Sequence, residues 1–579
     1  MIRILKPLGK LILNLSSSII PIIRKKFSFF NWQDSVVQLL LLGLILRCII
    51  AVWLLPGYDE GYYYLYSQHL DWSYFDHPVL VALTTGFGVW LTGIASPFTL
   101  RLGTLILYTG SLLLLYLTSV RLFNAKAGKL TLAIASIIPI FTISFGTITL
   151  PDVPLIFFWS ASLYCAVTEF FPISNPGYVP SYRLGILGVL VALACLSKYH
   201  GFILALGLVA FCLTSPSHRR ALLSPWALLG VILFIVTLFP LWFWNLQHDW
   251  VSLRFQLSHR FEAPPEGVVS PSGFNFLKVF FVFLTGIGLL FPTIGIPLWW
   301  VSFHALISQL FCLFKHQSTK LSSGHKLLFK YRFFQKKQLF ILWISLPLML
   351  GFTWLGGKQQ ILVTWPIPGF WGATLLLGVY ATQWQKRWPR LVRWWIGGTG
   401  IVTSTIILLL LLHITTGTLQ KSGNNALFGG FLEPKHDPAN ELIDIKQLRQ
   451  GFVESPILLT ALKESRFIFS NAYYLGGLID LALKPINPIP VTCFSYDRRG
   501  FSFWPDTDQW IGEDGLYITL EQFDQMQHLK AEFKDYFVSF QEIGLVPIRR
   551  GGVIVTVFHV YQAKNLLRPY QVQMEYYNQ

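Results

Sequence analysis

The segment PGYDEGYYYLYSQHLDWSYFDHPVL, residues 56–80, holds four carboxylates, Asp59, Glu60, Asp71 and Asp76, and no lysine or arginine. It follows directly on the apolar run VVQLLLLGLILRCIIAVWLL. Acids this close to a bilayer need partners or a task. A carboxylate can take the proton of a hydroxyl or amine nucleophile, or aim its lone pair at an electrophile. Asp59 and Glu60 stand just after Pro56-Gly57, a break that ends the apolar helix, and just before YYYLY, which predicts a helix with Asp59 near its N-cap. In the competing reading the tyrosines anchor an interface and the acids are a cap and a solvated face. Asp76-His77-Pro78 closes the loop with a further acid beside a titratable ring.

Three later stretches offer complementary groups. Asp152, in TLPDVPLIFFW, is the only charge between Lys129 and Glu169, and either a helix cap or chemistry accounts for it. Lys198-Tyr199-His200 interrupts apolar sequence; the lysine either snorkels to water or holds a phosphate as a point charge. WNLQHDWVSLRFQLSHRFE mixes Trp244, Trp250 and Phe255 with His248, Asp249, Arg254, His259 and Arg260. Aromatic faces suit sugar rings and prenyl chains and arginine forks suit phosphate, while an interfacial amphipathic helix is the alternative. No Walker-type loop, zinc-protease helix, paired Cys-x-x-Cys or G-x-S-x-G elbow occurs. No cofactor is indicated; a divalent metal held by Asp59, Glu60, His77, His248 or Asp249 is compatible with the ligand types, though spacing fixes no geometry.

The elements that must position these groups are membrane helices. The chain of 579 residues is 53% hydrophobic and only 13% charged, with repeated apolar runs near bilayer length, which excludes a soluble multidomain protein and a β-barrel. The net charge of +17 is uneven: residues 1–413 carry 30 Lys/Arg against 10 Asp/Glu, residues 414–579 carry 15 against 18. The basic excess lies in short acid-free loops such as SHRR and QKRWPRLVR, which marks the cytoplasmic side rather than nucleic-acid binding. About eleven crossings follow, with 79–95 and part of 274–312 taken as interfacial helices. Residues 1–36 are expected to form a cytoplasmic or interfacial arm, 37–413 the transmembrane domain with outer loops 57–98 and 245–273, and 414–579 an extracytoplasmic α/β domain. In that tail RFIFSNAYYLGGLIDLAL predicts a strand then a helix, GLYITL and GGVIVTVFHVYQ predict strands, and EQFDQMQHLKAEF a helix. Five of the six cysteines lie in or beside apolar runs, so the tail has no internal disulfide framework. This topology brings the acids of 56–80, Asp152, His248 and Lys358 to one face of the cytoplasmic membrane.

YDEGYYYLYSQHLDWSYFDHPVLVAL, LPDVPLIFFWSASLY, LSKYHGF, WNLQHDWVSLRFQ and KQQILVTWP, in that order, resemble the successive signatures of bacterial GT-C glycosyltransferases, in the branch of the protein O-mannosyltransferases and lipid A aminoarabinose transferases. The resemblance is strongest over 50–260, and the tail resembles the family only in position and size. It implies a GT-C fold and transfer, with inversion, of a sugar from a polyprenyl-phosphate carrier to a lipid, protein or glycan acceptor. It also implies Asp59 as the base or acceptor-orienting carboxylate, with Glu60 beside it and Asp152 converging on it. Lys198, Arg254, Lys358 and a protonated His77 would hold the donor phosphate; Tyr63, Asp76, Tyr199 and His248 would touch the sugar or carrier. Where many relatives have an acid followed by Lys-Pro-Pro, this chain has Asp76-His77-Pro78-Val79, replacing a fixed cation with a titratable ring. The alternative from another class is a transporter or flippase of lipid-linked sugars, which usually shows internal repeats that are absent here.

Overall fold

The structure, a computed structural model, describes residues 35–172, 177–257, 273–315, 325–359, 361–362, 364–495, 497–504 and 507–570, with backbone alone for 312–315, 325–333, 507, 527 and 529. The chain divides at Leu46 into two compact units. Of the first, residues 35–46 open helix α1 (Ser35–Trp53); the second holds all that follows.

After α1 the chain forms α2 (Tyr58–Gln68), α3 (Leu80–Thr92), α4 (Pro97–Leu122), α5 (Ala125–Ile137), α6 (Asp152–Phe170), α7 (Arg183–Ser197) and α8 (Gly201–Thr214). Then come α9 (Pro225–Thr237), α10 (Phe239–Gln247), α11 (Val251–Leu257), α12 (Phe276–Leu289), α13 (Pro292–Lys315), α14 (His325–Leu355), α15 (Ile367–Arg387) and α16 (Pro389–Thr416). Local signals set several of these ends. Ser96 caps α4 by accepting from the Thr99 N–H at 3.2 Å, with Pro97 in the first turn, and Gly417, at φ 73°, stops α16 in the left-handed conformation.

Six helices among the described residues are long and apolar enough to cross a membrane, and a seventh span results if α9 and α10, bent by 44°, count as one. This establishes a multi-pass helical membrane protein, but it does not establish the eleven crossings expected. The shortfall has a physical origin: α7, α8 and α12 are apolar but only 14 or 15 residues long, and a break at Lys198-Tyr199-His200 separates the first two. The 13-residue α3 is likewise too short to span.

The tail begins with short turns and then forms α17 (Ile445–Glu454), α18 (Pro456–Glu464), β1 (Phe467–Ser470), α19 (Tyr473–Leu483), β2 (Val491–Cys493), β3 (Gly515–Leu520), α20 (Glu521–Asp524), α21 (Gln527–Lys534), β4 (Phe537–Arg550) and β5 (Val553–Leu566). The sheet order is β2-β1-β3-β5-β4, with β1 parallel to both β2 and β3 and the β3–β5 and β5–β4 pairs antiparallel. Every residue of β1 and β3 is buried, as the mostly apolar FIFS and GLYITL require of central strands. A crossover helix, α19, joins parallel β1 and β2.

The tail shares a core with the membrane part. Tyr62–Tyr66 of α2, Val81 and Leu100 belong to one buried cluster with Leu475, Leu478 and Ile479 of α19 and the inner face of the sheet. At the contact two glycines meet: a Cβ on Gly477 would lie 1.8 Å from the Gly61 carbonyl oxygen. Only glycine permits so close a backbone approach. The Ile443 N–H donates to the Pro56 carbonyl at 3.1 Å, stitching the tail to the entry of α2.

Candidate active site

The two adjacent acids of α2 face opposite environments. Gly57, not Asp59, occupies the N-cap, so the capping role expected of Asp59 is not what holds it; it stands in the first turn. Glu60 is fully buried and accepts from Arg101 of α4, Nε to Oε1 at 2.7 Å and Nη2 to Oε2 at 2.5 Å. The Thr149 and Gly57 N–H groups donate to it at 3.1 and 3.3 Å. Arg101 spends its remaining donors on the carbonyls of Ala51, Leu54 and Leu55 at 2.6–3.0 Å. Glu60 is thus the anchor that fixes the start of α2 against the end of α1.

Asp59 is exposed, and the space it faces is a cavity of about 810 Å³ walled by protein. Tyr58, Ile148 and Leu150 line it from the membrane part, and Lys435, Glu441, Tyr473 and Tyr474 from the tail. Enclosure by protein strips water from the Asp59 carboxylate and pushes its pKa up from 3.8 to about 6. Asp76 and Glu441 push the same way, while Arg499 and Lys198 oppose them. The neighbouring phenols of Tyr62, Tyr63 and Tyr66 are raised well above the ordinary tyrosine value, first by burial and then by the carboxylates, which keeps them as donors.

Asp152 and Lys198, candidates from two separate stretches, come together. Lys198 Nζ donates to both Asp152 oxygens at 2.9 and 2.7 Å, and both side chains are buried. Asp152 makes no capping hydrogen bond at the start of α6, and Lys198 does not reach to water, so the bland alternative for each is replaced by a buried ion pair. Lys198 lines a second cavity of about 330 Å³ with His77, Tyr199, His200, Phe352 and Trp365. Its charge acts on Asp59, so the two cavities flank one electrostatic centre.

Asp76 lies buried behind that centre. It accepts from the Tyr66 phenol, from Tyr62 Oη at the long distance of 3.5 Å, and from Arg499 Nη1 at 3.2 Å. Its carbonyl accepts from Gln256 Nε2 at 2.8 Å, which draws α11 onto the loop. The Tyr63 and His77 rings meet edge to face, centroids 5.7 Å apart. Tyr199 Oη is 2.5 Å from Ser252 Oγ of α11. His248 Nδ1 lies 2.8 Å from the Trp244 carbonyl, its ring stacked on Trp244 and edge-on to Phe503 of the tail. Trp244 Nε1 in turn donates to Asp71 at 2.8 Å.

Arg254 and Lys358 are exposed and line neither cavity; Arg254 donates to the Asp249 carbonyl. His259 and Arg260 lie outside the described residues, as does the expected arm up to residue 34. No three His, Cys, Asp or Glu side chains among the described residues converge as a metal site.

Arg101, Glu441, Tyr473 and Arg499 were not foreseen. Arg101 carried a signal, since a lone arginine early in an apolar run is costly without a partner. Arg499 carried none, because charged residues are common in the tail and nothing in YDRRGFSF distinguishes it.

Comparison with known proteins agrees with this architecture. Residues 76–244 match the family model described as dolichyl-phosphate-mannose-protein mannosyltransferase. The lipid A galacturonosyltransferase RgtD of Rhizobium johnstonii is 22% identical over 334 residues, 57% of this chain and 61% of that protein, so the match spans somewhat under two thirds of the relative's length. ArnT from Cupriavidus metallidurans in the apo state superposes with a TM-score of 0.58 at 15% identity, covering 91% of this chain and 97% of ArnT. The same enzyme bound to undecaprenyl phosphate gives a TM-score of 0.51 at 16% identity with the same coverage. The chain therefore has the GT-C glycosyltransferase fold, and within it the segment that runs from Asp76 to Trp244 bears the mannosyltransferase family's pattern.

Proposed function

We propose that the protein is an inverting glycosyltransferase that moves a sugar from a polyprenyl-phosphate carrier to a lipid acceptor at the extracytoplasmic face of the inner membrane. The observation that carries the reading is Asp59: a carboxylate raised to about 6, inside a large cavity, beside a smaller apolar cavity headed by Lys198 and His77. A base whose pKa approaches the working pH removes a proton more effectively than an ordinary aspartate. Asp59 takes the proton of the acceptor hydroxyl as its oxygen bonds to the anomeric carbon, and the bond from that carbon to the phosphate oxygen breaks on the opposite side. The leaving phosphate gains charge and calls for cations rather than an acid. Lys198 supplies one at the cavity head, with His77 beside it, while the aromatic and aliphatic lining of the smaller cavity suits the first prenyl units.

The undecaprenyl phosphate of the ArnT complex and the lipid A acceptor in the name of RgtD support the same carrier class and a lipid acceptor. Protein and glycan acceptors are the alternatives. The test is release of free polyprenyl phosphate from a panel of polyprenyl-phosphate sugars, with a crude membrane extract as acceptor. Wild-type protein is expected to release it from one donor and Asp59→Asn from none. Equal release by Asp59→Asn removes Asp59 from the role, and no release by a folded wild-type protein that binds the carriers favours transport of the lipid-linked sugar.

A further inference from the structure

The tail contributes a charge to the centre of the membrane part. Arg499 stands on a short turn at φ 46°, in the left-handed region that non-glycine residues seldom adopt. The turn is fixed on both sides: the Gly500 N–H donates to Tyr62 Oη of α2 at 3.0 Å, and Arg499 Nε lies 3.4 Å from both oxygens of Asp497. The guanidinium then reaches Asp76 at 3.2 Å and lies over the Tyr473 ring, 4.0 Å from its centroid. Tyr473 is a wall of the Asp59 cavity, and Asp76 precedes the His77 of the smaller one. One arginine of the tail therefore touches both a wall residue of the Asp59 cavity and the neighbour of His77.

We propose that Arg499 is a positioning residue of the active site, by which the tail anchors the Asp76 loop and holds a fixed positive charge beside Asp59. The inference rests on Asp59 as the catalytic base. It gives the tail a direct part in the chemistry, and it supplies a permanent cation next to the position where this chain has His77.

The charges that face Asp59 come from several elements. Asp76 from the outer loop and Glu441 from the tail favour the protonated acid; Lys198 at the end of α7 and Arg499 favour the carboxylate, with Arg499 the largest charge effect. Tyr63 and Tyr473 adjoin it, and Lys435 and His436 stand across the cavity. Removing Arg499 leaves Asp76 and Glu441 opposed by Lys198 alone. Asp59 then holds its proton to higher pH, and the base is lost at the pH where the enzyme works.

The experiment follows the protonation of Asp59 directly. Dicyclohexylcarbodiimide modifies carboxylic acids in their protonated form, and mass spectrometry of the Asp59 peptide reads the extent. Modification is measured against pH for full-length wild type, Arg499→Gln and Arg499→Lys. Wild type is expected to fall to half near pH 6, Arg499→Gln at least one pH unit higher, a tenfold change in proton affinity, with Arg499→Lys restoring most of the shift. Coincident midpoints in wild type and Arg499→Gln overturn the proposal. Sugar transfer over the same pH range separates this idea from its premise. A loss in Arg499→Gln that recovers as pH rises supports both; a loss uniform with pH reduces Arg499 to a structural strut. A shifted midpoint with unshifted transfer upholds Arg499 beside Asp59 and rejects Asp59 as the base.

Discussion

Asp59 and Glu60 are neighbours of similar chemistry, and their surroundings give them opposite relations to stability. Glu60 is buried against Arg101 with its oxygens filled, so removing either partner leaves the other charge buried and unpaired. Breaking such a pair costs about 3–5 kcal/mol. Glu60→Ala and Arg101→Met are therefore expected to lower the apparent melting temperature sharply and to reduce the yield of folded protein. Asp59 has the reverse sign. Its folded pKa, about 6, lies above the ordinary 3.8, so the folded state binds more protons than the unfolded one between these values and stability declines as pH rises through the window. Asp59→Asn is expected to abolish transfer and to leave stability at pH 7.5 unchanged or slightly raised, by ~1 kcal/mol or less because the exposed charge is screened. A thermal scan of the three variants checks this contrast, and a destabilised Asp59→Asn contradicts it. The sequence showed that these acids need partners or a task, but not which had which, because their partners are 41 residues away for Glu60 and over 400 for Asp59.

At the scale of elements, the site depends on how α19 of the tail is seated on α2. The close approach at Gly61 and Gly477 sets the distance, and Tyr473 at the head of α19 and Tyr62 on α2 both support the Arg499 turn. Gly477→Ala places a methyl 1.8 Å from a backbone oxygen, which no side-chain rearrangement relieves, so the helices must separate. A displacement near 1 Å at a catalytic group can cost on the order of a hundredfold in rate. Gly477→Ala is expected to lower kcat by about tenfold or more and to leave carrier binding intact, because no tail residue is among those that line the cavity around Lys198 that we propose for the carrier. Turnover and carrier affinity measured side by side decide it; equal loss of both rejects the geometric account. Strands β1, β3 and β5 and helix α19 of the tail were legible from β-branched and aromatic runs and from YYLGGLIDLAL, while β2 and β4 were not read. The glycine contact was not, since a Gly-Gly pair inside a helix reads as a weak point until its neighbour is known. The eleven crossings are not established for a related reason: polar breaks such as Lys198-Tyr199-His200 shorten apolar helices that hydropathy alone treats as spans.

For the whole molecule, the shared core of α2 and the tail ties two statements about topology into one. Loop 57–80 and the tail pack side by side, so a single compartment must contain both, and an even number of crossings must separate Pro56 from Gly417. Charge then chooses the compartment. The membrane part carries 30 Lys/Arg against 10 Asp/Glu, concentrated in short loops, while 56–80 carries acids alone, so the positive-inside bias leads us to propose that the loop and the tail lie outside. That proposal comes from the sequence alone, because orientation depends on composition summed over loops rather than on any contact. Three exposed positions test it: Trp72 in the loop, Phe428 in the tail and Leu223 beside the basic SHRR stretch, with relative exposures of 50%, 93% and 91%. Single cysteines at these positions, in a chain lacking its native ones, are treated in intact cells with a maleimide that cannot cross the cytoplasmic membrane. Trp72→Cys and Phe428→Cys are expected to react together, and Leu223→Cys only after the membrane is permeabilised. Reaction of Leu223→Cys alone inverts the protein and, with it, the side on which sugar is transferred. Reaction of Trp72→Cys without Phe428→Cys breaks the link between loop and tail, and the Asp59 cavity cannot then be built from both.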